Sequence, residues 1–161
     1  MTEGRGIDGA SIDVEVEDPA WTEAVADAAR LAEVAAFTTL AALDPQRWRE
    51  GVTILLADDA AVAELNQNFR HKAGPTNVLS FPAPSNPEHH LGDIALAYGV
   101  CAREAGEQGK PLAHHLQHLV AHGVLHLVGY DHQTEAEAEA MEALEREILD
   151  RLGVPDPYQM A

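Results

Sequence analysis

Apolar and polar residues along this chain follow two different periods, and the switches between them mark out the elements. Between Ser11 and Glu17, Ile12, Val14 and Val16 alternate with acids, as in a strand with one buried face. From Pro19 to about Leu43 the spacing becomes helical and alanine-rich, stopping near Asp44-Pro45. Gly51–Ala57 holds the run Val-Thr-Ile-Leu-Leu, short enough for a buried strand. Asp58 or Asp59 then caps a helix through Phe69, with Val62, Leu65 and Phe69 at helical spacing.

His71–Pro75 predicts a loop, Thr76–Phe81 a third strand, and the proline-rich stretch Pro82–His90 a surface loop. Leu91–Tyr98 predicts a fourth strand. A helix covers roughly Val100–Gly109, and Pro111 opens another that runs to Val128. Thr134 and Glu137 have the spacing of a capping box. They start a final helix with Met141, Leu144, Ile148 and Leu152 inward and Gly153 as its stop. The order β-α-β-α-β-β-α-α-α implies an α/β (α+β) fold, a small mixed four-stranded sheet packed with about five helices. Residues 1–10 are expected to be a flexible leader and 11–158 a single domain, long enough to bury a core.

Charge changes this picture only in part. A formal net charge of −17 argues against nucleic-acid binding when taken whole. Residues 1–50 and 101–161 each hold eleven acids, however, and 51–100 only five, so a neutral or basic cleft near Arg70 and Lys72 is compatible with it. The acids between Glu135 and Asp150 are expected on a solvated helix face. Cys101 is the single cysteine, no apolar run would span a bilayer, and the opening Met-Thr-Glu-Gly-Arg is unlike a signal peptide. These features point to the cytoplasm.

The chemistry is concentrated in His122-Gly-Val-Leu-His126-Leu-Val-Gly129-Tyr-Asp-His132. His122 and His126 share a helix face, and Gly129 can turn the chain so that His132 returns toward them. Three imidazoles with an open fourth position make a zincin-like, catalytic rather than structural site, with zinc the expected divalent ion. The spacing is that of zincin peptidases, but their general-base glutamate would fall at Gly123. The protein is therefore not expected to be a metallopeptidase. His114 and His118 continue the row, yet a step of four residues drifts by about 40°, so the four cannot share one ion. His118 is expected as a rim group or proton carrier, Asp131 as an outer partner of a ligand, and His114 and His115 as exposed. Gly123 is expected to pack closely against a strand, with room for substrate beside it.

A second block runs Leu65-Asn-Gln-Asn-Phe-Arg70-His-Lys-Ala-Gly-Pro75-Thr-Asn-Val-Leu-Ser-Phe-Pro82. Arg70 at a helix end beside this loop suits an anionic group, or a surface ion pair. With Leu91-Gly-Asp-Ile-Ala-Leu-Ala97 and the histidine block, the chain resembles the YbeY family of metal-dependent endoribonucleases and ribosomal RNA maturation factors, over about residues 11 to 155. The resemblance implies that His122, His126 and His132 bind the metal, usually zinc, and that Arg70 is the functional arginine. It also implies a cytoplasmic role in ribosomal RNA maturation and quality control. Where the family often has Lys-Asp-x-Pro-Thr, this chain has Lys72-Ala73-Gly74-Pro75.

The expected enzyme hydrolyses RNA phosphodiesters, with Arg70 stabilising charge on the phosphate. Its general base is unassigned. The alternative is a ribosome-assembly factor with a structural metal, whose acidic surface docks on small-subunit ribosomal proteins or other assembly factors. Neither a membrane nor DNA is an expected partner.

Overall fold

The computed structural model describes residues 12–43, 51–70, 74, 76–84, 89–130 and 133–157. The expected leader and, apart from Gly74, the expected His71–Pro75 loop lie outside them. The elements are β1 (Ile12–Val16), α1 (Ala20–Ala24), α2 (Ala28–Leu43), β2 (Gly51–Ala57), α3 (Asp59–Arg70) and β3 (Val78–Pro82). They continue with β4 (His90–Ala97), α4 (Tyr98–Gln108), α5 (Leu112–Leu127) and α6 (Glu135–Leu152). The strands form one mixed sheet in the order β1-β2-β4-β3, with β1, β2 and β4 parallel and β3 antiparallel on the edge. The expected four-stranded α/β fold is present.

The period of two in the central strands sorts their side chains to two helical layers. Val52, Ile54 and Leu56 of β2 and Ile94 and Leu96 of β4 pack with Ala32, Ala36 and Leu40 of α2 and Leu116, Val120 and Val124 of α5. Leu55, Ala57, Ala95 and Ala97 turn the other way, onto Val62 and Leu65 of α3. Asp58 caps α3, its Oδ1 accepting from the Ala61 N–H at 2.8 Å. Asp59 instead reaches across to accept from the Val100 N–H at 3.1 Å, joining α3 to α4.

The helix expected over Pro19–Leu43 is two helices, making six in the described residues. Val25 is extended, with φ −134° and ψ 100°, and separates α1 from α2. The cause is tertiary. Trp21 is fully buried, and its indole Nε1–H donates to the Ala57 carbonyl at 3.0 Å, pinning α1 to the end of β2. An alanine-rich pattern carries no mark of such a tether.

The last helix forms as its sequence predicts. Thr134 Oγ1 accepts from the Glu137 N–H at 3.1 Å while Glu137 Oε1 accepts from the Thr134 N–H at 3.2 Å, and Gly153 ends the helix at φ 77°. Met141 and Ile148 bury against Ala121 and Leu125, which seats α6 along α5. That contact carries a residue of α6 to the histidines.

Candidate metal centre

α5 is apolar enough to lie in the core, so any polar group on it is held in a fixed place. Gly123 is buried between the sheet and the histidine row. A Cβ there would meet Ile94 Cδ1 and Cγ2 at 3.1 Å and Ser80 Oγ at 3.2 Å, so close packing on the strands explains the glycine. Ser80 Oγ donates to the Gly123 carbonyl at 3.1 Å, holding edge strand β3 against the helix. The helix closes as the glycine signal implies. Tyr130 N–H donates to Leu125 O at 3.0 Å, Gly129 N–H to His126 O at 3.1 Å, and Gly129 takes φ 105°.

On the flank of this helix the histidines behave in pairs. The rings of His122 and His126 lie 4.6 Å apart, whereas those of His118 and His122 are 6.3 Å apart. His122 and His126 bring their Nε2 atoms to 3.0 Å of each other. The other nitrogen of His122, Nδ1, donates to Glu145 Oε2 at 2.6 Å, and His118 Nε2 donates to Glu145 Oε1 at 2.9 Å. A carboxylate oxygen accepts, which makes the imidazole N–H groups the donors in both bonds. Glu145 is fully buried.

Glu145 was hidden by its composition rather than by its position. Glu135, Glu137, Glu139, Glu147 and Asp150 do lie on the exposed face expected for α6. Glu145 falls four residues after Met141 and three before Ile148, on the inward stripe. An acid in that register was the available signal.

His115 corrects a second expectation. It is 3% exposed instead of facing water, and its Nε2 donates to Glu104 Oε1 at 2.8 Å. The same carboxylate oxygen accepts from Asn77 Nδ2 at 3.1 Å, joining the start of β3 to α4 and α5. Burial holds the His115 pKa below its ordinary value, against the opposing pull of Glu104. Burial also lowers the pKa of Lys110, with Glu104 acting in the other direction. A cavity of about 350 Å³ lies among Asn77, Glu104, Lys110, His115, His118 and His122. It gives an approach to the histidine row. Cys101 is buried, its Sγ–H directed at the Asn77 carbonyl at 3.5 Å, and burial raises its thiol pKa far above the ordinary range.

The remaining sequence candidates are placed only in part. Arg70 is the last residue of α3; its side chain, Asp131 and His132 lie outside the described residues. Two nitrogens bound to one tetrahedral zinc stand about 3.3 Å apart, since each Zn–N bond is about 2.0–2.1 Å. The His122 and His126 Nε2 atoms fall within a few tenths of that spacing. His118, His122 and Glu145 also offer donors within 4.8 Å of one another, so the cluster can hold a metal ion.

A mixed sheet packed with helices, with a histidine row on α5 met by a carboxylate from α6, defines a class, the α/β proteins with donors for a metal ion. The family model described as Endoribonuclease YbeY matches residues 13–153, and the chain belongs to that family. It is 53% identical over 148 residues to "Endoribonuclease YbeY" of Maricaulis maris, covering 92% of this chain and 91% of the relative. With the protein of the same name from Jannaschia sp. it shares 47% identity over 162 residues, covering 91% of this chain and 99% of the relative. The solution structure of a Thermotoga maritima protein superposes with a TM-score of 0.54 at 22% identity, covering 92% of this chain and 99% of that one, which shows a shared fold.

Proposed function

We propose that this protein is a metal-dependent endoribonuclease, a hydrolase of RNA phosphodiester bonds acting in ribosomal RNA maturation and ribosome quality control. The observation that carries this reading is the 3.0 Å approach of the His122 and His126 Nε2 atoms in a chain of the YbeY family. His122, His126 and His132 would hold the ion, with zinc the best match to an all-imidazole donor set. A divalent ion held by these residues would supply Lewis acidity to the site. Arg70 would neutralise charge on the phosphate as the bond breaks.

The chain's own residues do the rest. His122 and His126 are held on a helix locked into the core, so their donor nitrogens need little reorganisation. Gly123 and Ser80 keep the edge strand close beside them. His118 and Asp131 are the candidates that the sequence offers for moving a proton or steadying a ligand. Residues 11–158 would work as one catalytic unit in the cytoplasm, meeting ribosomal RNA together with small-subunit ribosomal proteins or assembly factors.

The test is cleavage of a structured ribosomal RNA fragment by nuclease-free, metal-replete protein. Chelation should stop cleavage and Zn2+ should restore it. Folded Arg70→Ala and His126→Ala variants should each lose about 100-fold or more, the scale of removing one charge-stabilising group. Undiminished cleavage by either variant would overturn the enzyme reading. Ribosome assembly that survives the loss of cleavage would separate the chemistry from a binding role.

A further inference from the structure

We infer that Glu145 is a positioning residue for the metal site: its carboxylate takes the Nδ1–H of His122 and so commits the Nε2 lone pair to the ion. This rests on the proposed metal centre and deepens it. A neutral imidazole carries one proton, on either nitrogen. With Glu145 Oε2 at 2.6 Å from Nδ1, that proton sits on the carboxylate side and Nε2 is left as an acceptor facing His126. Ligating histidines are commonly oriented in this way, by a carboxylate on the nitrogen away from the metal.

Burial makes the inference specific. Glu145 is fully buried, and a carboxylate out of water is costly to keep unless it is well partnered. Two imidazole N–H groups hold its oxygens, one to each. The carboxylate therefore acts on the ring from the side opposite the nitrogen that would face the ion. His118 has a different part: its Nε2, committed to Glu145 Oε1 at 2.9 Å, fixes the rotation of the carboxylate. The inter-helix tie alone would need no second histidine, since Met141 and Ile148 already bury against α5.

The experiment measures Zn2+ affinity of the full chain by competition with a chromogenic chelator, after the metal has been stripped. Glu145→Gln keeps the side-chain shape and should raise the Zn2+ Kd about 10–100-fold, the usual cost of losing such a partner. His118→Asn should cost less than Glu145→Gln, and His126→Ala more than either. Equal affinity for Glu145→Gln and the wild type overturns the positioning role and leaves the metal centre standing. A His118→Asn loss as large as that of His126→Ala also overturns it, because His118 and Glu145 would then be ligands. A wild-type chain that takes up no Zn2+ overturns both this inference and the proposed metal centre. The wild type alone provides a second measurement if Glu145→Gln does not fold. In the metal-free protein at neutral pH, 15N shifts should place the His122 proton on Nδ1; a proton on Nε2 overturns the inference.

Discussion

At position 123 two opposing effects can be weighed. Alanine would favour the helix over glycine by about 1 kcal/mol. Its Cβ would also press on Ile94 and on Ser80 Oγ, all at 3.1–3.2 Å, and overfilling a packed core costs about 1–3 kcal/mol. Ile94 is fully buried with nowhere to move, so the crowding should win. Gly123→Ala is expected to lose about 1 kcal/mol of stability in urea unfolding. A stabilised variant would mean that the strand layer yields more easily than its packing implies. Close packing at Gly123 was legible in the sequence because a glycine inside a helix needs a reason. The reach of Glu145 was less so, since one acid among many looks solvated until its register against Met141 and Ile148 is read.

Between elements, His115, Glu104 and Asn77 tie α5, α4 and β3 together in the core. Burial holds His115 below its ordinary pKa of about 6.5. As pH falls, the unfolded chain therefore binds the proton before the folded one does. The tie's full stability is present above about pH 6.5 and declines from there down to the folded pKa. Urea midpoints measured at about pH 7.5 and about pH 5.5 should differ less in His115→Gln than in the wild type. An unchanged difference would remove His115 as a source of acid sensitivity. This tie was not legible in the sequence, where His115 stands outside the four-residue row, reads as exposed, and gives no sign of Glu104. Element types were easier, because periods of two and 3.6 are local. The break at Val25 was not, because Trp21 is held by the distant Ala57 carbonyl.

Across the whole molecule, the same 161 residues carry a net charge of −17 and a cluster able to hold a cation. Zn2+ that binds the folded chain alone stabilises it by about 2.7 kcal/mol at 100 times its Kd. For a chain of this size that corresponds to a rise of about 5–10 °C in Tm. Differential scanning of stripped and Zn2+-loaded protein checks this, and coincident transitions would count against a bound ion. The α/β architecture and the mixed sheet were legible from element order alone. The meeting of α6 with α5 was not, because it depends on side chains more than twenty residues apart.

That meeting has a consequence in time. Glu145 lies in the last helix, after every histidine of the row. A chain emerging from the ribosome therefore exposes His122 and His126 while the carboxylate that orients His122 is still being delivered. With Glu145 in the role inferred for it, the site matures only when α6 docks. Synthesis itself would then delay full metal loading until α6 has emerged and docked on α5.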